Sequence, residues 1–299
     1  MSTPNIGGQA VIEGVMMRGP SHLATAVRKP DGEIVINKKA FVTVSDRYPI
    51  LKKPLIRGCV ALFESLIYGM KELSWSAQAS GEEEEQLTNR EIIMTMLFAI
   101  CLAVVLFIVI PTYITKFLVA NIQSTFVLNM AEGILRLTIF LLYVGAISLM
   151  KDIQRVFQYH GAEHKTIHAY EAGVELTPEN VQKFSTLHPR CGTNFLLIVM
   201  VVSIFMFAFL GWPSLTYRIL SRIILMPLVA GISYEIIRFA GKNFKKPGVK
   251  FLIYPGLMLQ KLTTRQPSDD QVEVAIKSLQ AVLPETETVP VASEQVQPA

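Results

Sequence analysis

Residues 92–115 read IIMTMLFAICLAVVLFIVIPTYIT, and none of them is charged. A helix needs about 20 mostly apolar residues to cross a bilayer. This stretch therefore predicts a membrane span and decides the class of the protein. Three more apolar runs follow: 129–150, with Glu132 and Arg136 near its start; 193–212, inside the uncharged window 191–217; and 219–240, which carries Arg222, Glu235 and Arg238. The last is the least apolar, with only 223–234 free of charge. The pattern predicts a mainly α integral membrane protein with about four transmembrane helices.

Lys/Arg bias predicts the orientation. Lys116 alone follows the first run, and Arg218 and Arg222 mark the turn between the third and fourth. Lys151, Arg155, Lys165, Lys183 and Arg190 follow the second run, and a second basic group from Lys242 to Arg265 follows the fourth. The middle loop and both termini are expected to be cytoplasmic.

Composition agrees. Of 299 residues, 51% are hydrophobic and 17% are charged, against about 25% charged in soluble domains. The mean hydropathy is +0.39. A disordered or fibrous chain is excluded. A net charge of +4, with no basic helix interleaved with aromatics, argues against nucleic acid. Three scattered cysteines (Cys59, Cys101 and Cys191) give no disulfide framework and fit a reducing compartment. Residues 1–14 lack the basic and apolar parts of a secretory signal.

Residues 1–54 are of another kind. They alternate or are β-branched over 6–18, 22–30 and 33–44, with turns at Gly19-Pro20 and Pro30-Asp31-Gly32. This predicts a small antiparallel β-rich cytoplasmic part. Residues 55–80 predict an amphipathic helix on the membrane surface, with Leu55, Cys59, Leu62, Leu66 and Leu73 near one face. Residues 81–90 read as an acidic linker. The membrane bundle is expected over 91–265, including a cytoplasmic His-rich segment at 151–192. Within it, 251–260 is apolar but too short to span, and reads as interfacial or re-entrant. Residues 266–283 predict a short amphipathic helix that opens on Asp269 and Asp270 and keeps Val272, Ile276, Leu279 and Leu283 on one stripe. Residues 284–299 read as a disordered tail.

The chemistry concentrates in one window. Four of the five histidines lie in 160–188, within YHGAEHKTIHAYE (159–171) and HPRCGTNF (188–195). His160, His164 and His168 are spaced by four, which stacks them on one helix face with Glu171 continuing it and Glu163 beside it. That helix is expected to run on from the second span into the cytoplasm. Imidazole and carboxylate ligands suit divalent transition metals, and His160-x-x-Glu163-His164 matches the short H-x-x-E-H metalloprotease pattern. His188 and Cys191 are plausible further ligands. Cys191 is equally a candidate nucleophile, and its turn a helix cap. The plain alternative is a hydrogen-bonded network of interfacial histidines.

Charges inside apolar runs are functional candidates by default. Glu132–Arg136 reads more simply as a neutralising i,i+4 pair. Glu235 and Arg238, one turn apart and on the histidines' side, are candidates for outer support of the ligands. The N-terminal GGQAVIEGVMMRGP (7–20) is neither GxGxxG nor a P-loop. Its Glu13 and Arg18 could line a site, but read more simply as an exposed strand pair.

These segments, with AGISYEIIR (230–238) and PGLMLQKLTT (255–264), resemble the YqhQ-like family, a bacterial family of unknown function numbered 1385. The resemblance spans nearly the whole chain except the C-terminal tail. It implies a membrane protein and a metal-dependent enzyme, with no defined reaction. The family's HGAEHK pattern falls on His160, Glu163 and His164, its following acid on Glu171, its HPRCG on His188, Arg190 and Cys191, and its SYE on Glu235. Asparagine can stand where this chain has His168, which weakens that residue as a ligand. Serine often stands where this chain has Asn194, which puts only the local cap in doubt.

The expectation is therefore a multi-pass protein of a bacterial plasma membrane. His160, His164, Glu171, His188 and Cys191 would bind a divalent transition metal, zinc foremost. Glu163 would act as general base and Arg190 would hold an anionic group, with His168, Glu235 and Arg238 as outer support. A lipid or membrane peptide would be the substrate. The alternative is a non-enzymatic scaffold, assembly factor or small-solute or metal transporter that uses the cluster structurally.

Overall fold

The computed structural model describes residues 6–81, 88–118, 122, 124–211, 214–243 and 246–284. Most of the acidic linker and nearly all of the C-terminal tail lie outside the described residues. The chain opens with β1 (Gly7–Val11), β2 (Gly14–Arg18), β3 (His22–Arg28) and β4 (Ile34–Ala40). They form one antiparallel sheet in the order β1-β2-β3-β4. The helices are α1 (Val44–Arg47), α2 (Ile56–Ser80), α3 (Asn89–Val104), α4 (Ile110–Leu118), α5 (Thr125–Ile147), α6 (Lys151–Glu171), α7 (Pro178–Gln182), α8 (Gly192–Ala208), α9 (Leu215–Lys242), α10 (Pro247–Thr263) and α11 (Asp269–Val282).

The segment expected as one strand over 6–18 is a hairpin. It turns at Ile12-Glu13, and Glu13 sits at φ 52°, a region costly for a residue with a Cβ. Arg155 on α6 grips the Glu13 carboxylate with two nitrogens, and Tyr159 Oη donates to it at 3.3 Å. A contact 142 residues away thus holds a turn that no local residue type announces.

The sheet is a middle layer. One face packs Val15, Met17, Ala24 and Ala26 against Tyr159 and Ala162 of α6 and against Val272, Ala275 and Leu279 of α11. The other packs Val11, Met16, Leu23 and Val27 against Tyr68 and Trp75 of α2. The C-terminal amphipathic helix is therefore core, fastened at its start by a capping box between Ser268 and Gln271.

α2 departs from the simple reading of its amphipathicity. The face turned to the sheet carries Gly69, Glu64, Glu72 and Ser76, all buried. Glu72 accepts from Thr25 Oγ1 at 2.9 Å and Lys39 Nζ at 2.8 Å, and Glu64 accepts from the Val44 N–H at 2.6 Å. Leu66 and Leu73 of the apolar stripe point outward and stay exposed.

Among the described residues, three helical stretches are long and apolar enough to cross a membrane: Ile93–Thr115, Thr125–Ile147 and Leu220–Gly241. The first runs through α3, a π-helical turn at Val105–Val109, and α4. The remaining candidate, α8, is apolar but has only 17 residues. The 251–260 stretch belongs to the longer α10, which packs against α8 and α9.

α6 does not continue α5. The chain breaks at 148–150, where Arg265 donates to the Ser148 carbonyl at 2.9 Å, satisfying one of the orphan acceptors of a helix end. This break lets α6 lie under the sheet.

Candidate metal centre

α6 presents His160 and His164 on one face, as the four-residue spacing predicts, and their rings lie 4.4 Å apart. The loop before α8 brings Cys191 to them: His160 Nε2 lies 3.3 Å from Cys191 Sγ. One ligand atom from each of His160, His164 and Cys191 falls within 4.8 Å of the others.

The other ring nitrogens decide what these atoms can do. His160 Nδ1 lies 2.8 Å from the Thr263 carbonyl, and His164 Nδ1 lies 2.5 Å from the Thr186 carbonyl. A carbonyl only accepts, so each Nδ1 carries the hydrogen and each Nε2 keeps a lone pair. Metal-binding histidines are held by this kind of backbone bond. Burial pushes the His164 pKa below its ordinary value and favours the neutral ring. Two imidazole lone pairs and a sulfur converge, a donor set that suits zinc.

Glu163 lies beside this triad, with Oε2 3.5 Å from His164 Nε2 and 4.0 Å from His160 Nε2. It is buried, and loss of solvent raises its pKa, opposed by the Gly8 backbone N–H facing it. A Cβ on Gly8 would come within 2.9 Å of Glu163 Cγ, so glycine is what lets β1 approach α6 here.

The other expected ligands form a separate group. His168, Glu171 and His188 also place one ligand atom each within 4.8 Å, but their hydrogen bonds differ. His188 Nδ1 accepts from the Arg190 N–H at 3.3 Å, so neutral His188 carries its hydrogen on Nε2, the atom 3.9 Å from Glu171. His168 Nε2 donates to the Leu187 carbonyl at 3.0 Å. Glu171 is held by Arg190. This group reads as a polar brace beside the triad. The five expected ligands are therefore not gathered around one point.

Glu235 is gripped by Arg57 of α2 through two nitrogens. Arg238 is one turn further along α9. Among the described residues, neither makes a hydrogen bond or ion pair to the histidines.

Sequence reasoning missed Gln260, which is fully buried. It accepts from the His188 N–H at 2.8 Å and donates to the His188 carbonyl at 2.8 Å and to Asn194 Oδ1 at 3.1 Å. It seats the 188–191 turn on α10. Its only signal was a glutamine in an otherwise apolar run. Gly161 is a second such position. A Cβ there would lie 2.0 Å from the Arg265 carbonyl, where the chain crosses α6 through a 2.9 Å bond from the Arg265 N–H to the Phe157 carbonyl. Gly161→Ala is expected to cost about 1–3 kcal/mol, read as a lowered Tm in detergent.

A cavity of about 360 Å³ opens on the triad. Its walls include Ile6, Gly8, Ala10, Phe157, Ile167 and Arg190, beside His160, Glu163, His164 and Cys191. It offers one cation, mostly apolar walls and the polar cluster.

Comparison with known proteins supplies a family but no activity. The family described as "Protein of unknown function (DUF1385)" matches residues 53–285. A protein of Bacillus subtilis (strain 168), named "Uncharacterized protein YqhQ", is 37% identical over 294 residues, covering 94% of this chain and 92% of its own. No solved structure matches.

Proposed function

Because the chain belongs to the DUF1385 family, whose description carries no reaction, we propose its function from the site: a metal-dependent hydrolase of a bacterial plasma membrane. Its site faces the cytoplasm, and its termini are cytoplasmic. The observation that carries this reading is the convergence of His160 Nε2, His164 Nε2 and Cys191 Sγ, with both Nδ1 atoms tied to backbone carbonyls. Three protein ligands beside a cavity leave a position open, which is the arrangement of a catalytic site rather than of a closed structural one.

Zinc is the expected ion. It would supply Lewis acidity, polarising a carbonyl or phosphoryl oxygen and making water acidic enough to lose a proton near neutral pH. Glu163 takes that proton as the water oxygen bonds to the substrate, then returns it to the departing amine or alcohol as the bond to that group breaks. Arg190 pairs with an anionic group of the substrate in place of Glu171. A lipid or membrane peptide fits a site of this kind beside apolar helices.

The transporter reading draws no support from the charged groups of the apolar helices, because Glu132 and Glu235 are each engaged by arginine.

The test is the metal content of detergent-purified protein by plasma mass spectrometry. One transition metal per chain, lost in the His160→Ala, His164→Ala double variant, is the expected result. A wild type still empty after incubation with zinc or manganese overturns the proposal.

A further inference from the structure

β1 is an edge strand, and its register settles which way its backbone groups point. Gly19 N–H bonds to the His22 carbonyl and Arg28 N–H to the Glu13 carbonyl. With Met17 opposite Ala24 and Val15 opposite Ala26, this assigns residues 13, 15, 17 and 19 to the β3 side. Gly14, Met16 and Arg18 then bond toward β1, where their partners are Val11, Gln9 and Gly7. Gly8 and Ala10 are left with N–H and C=O directed away from the sheet.

Both residues line the cavity that holds the triad. Gly7 and Gly8 are exposed. The Gly8 N–H faces Glu163 and the Ile12 N–H donates to Ser76 Oγ at 3.1 Å, so the groups left open between them, the Gly8 carbonyl and the backbone of Ala10, lie directly beside the proposed general base. Among the described residues no hydrogen bond is recorded for the Gly8 carbonyl or for the backbone groups of Ala10. Open backbone groups on a strand edge are a template for another extended chain, and they match an amide backbone in a way an acyl chain cannot.

We infer that the site takes an extended polypeptide, which adds to β1 as a further strand with a peptide carbonyl beside Glu163 and the His160–His164–Cys191 triad. This rests on the hydrolase reading of the same site and narrows its substrate to peptide. The edge supplies main-chain recognition, and Ile6, Phe157 and Ile167 supply apolar contact for alternate side chains.

The test is hydrogen–deuterium exchange of the full-length protein in detergent, read on residues 6–12 and paired with metal content. The probe is a short synthetic peptide alternating leucine and threonine, compared with the same peptide N-methylated at every second residue. The expected result is roughly tenfold slower exchange over 6–12 with the plain peptide and none with the methylated one. Ala10→Pro removes an outward N–H at an edge position that tolerates proline. It should abolish the protection while the metal content stays at the wild-type value. If that variant fails to fold, the methylated probe still decides. Absence of protection in metal-loaded protein overturns this inference and leaves the hydrolase reading standing. Equal protection by both peptides overturns it too, as does protection produced by phosphatidylglycerol vesicles alone. Protection in a metal-free wild type supports the strand site and sinks the hydrolase reading instead.

Discussion

Glu163→Gln protein is expected to keep its metal and to lose about 10²–10⁴ of its hydrolytic rate, the usual worth of a positioned general base. The amide is close in size and keeps an acceptor for the Gly8 N–H, so the packing of β1 on α6 survives. The amide cannot take a proton from water. The ligands His160, His164 and Cys191 are untouched, which separates this variant from the double histidine variant that empties the site. p-Nitrophenyl acetate is a suitable substrate for the assay because it asks only for an activated water and not for the natural ligand. Equal rates in wild type and variant, both metal-loaded, would remove Glu163 from the chemistry.

The second large effect is expected far from the triad. Glu132 on α5 is buried and accepts from Thr112 Oγ1 of α4, from Arg136 one turn along α5, and from Arg222 of α9, each at 2.9 Å. One carboxylate thus joins three helices and balances two guanidinium groups. Glu132→Ala would leave two half-buried cations without it, and breaking a buried pair from one side costs about 3–5 kcal/mol. The expected readout is a large fall in Tm in detergent. Arg136→Ala should cost less, because Arg222 still pairs with Glu132. A Glu132→Ala protein that melts with the wild type would mean that water or lipid headgroups compensate the arginines.

The two sites differ in how much of them the sequence carries. His160 and His164 share a face because four residues are one helical turn, so two of the three triad ligands were readable from periodicity alone. Cys191 joins them only because Gln260, 72 residues from His188, holds the intervening turn on α10, and no local pattern records that contact. The same holds for the ring tautomers. They depend on carbonyls of Thr186 and Thr263, and a carbonyl is present at every residue. The separation of Glu171 and His188 from the triad was hidden for a related reason: spacing puts residues on a face but says nothing of which nitrogen carries a hydrogen.

The fold divides likewise. The apolar runs were plain because a bilayer demands length and composition together. The direction of α2 was not, because Glu64 and Glu72 turn inward to sheet partners while Leu66 and Leu73 stay outside. Hydrophobicity marks which face is apolar, not what covers it. The Ile12-Glu13 turn escaped notice because a glutamate in the left-handed region is stabilised by Arg155 and not by its neighbours in the chain. The break at 148–150 was missed because the apolar run continues through it.

The last fastenings of the triad come from α10 and the residues just after it. The Thr263 carbonyl orients His160, Gln260 seats the turn that carries Cys191, and Arg265 anchors the crossing over α6. α11 then closes the layer beneath the sheet. During synthesis, the ribosome has finished His160, His164 and Cys191 long before it releases these residues. A nascent chain therefore holds its ligands without the Thr263 bond that orients His160 and without the Gln260 seat of the Cys191 turn, and the site matures only once residues 260–265 have been made. On the proposed function, a chain cut short before residue 260 is expected to lack hydrolytic activity even though it holds all three ligands.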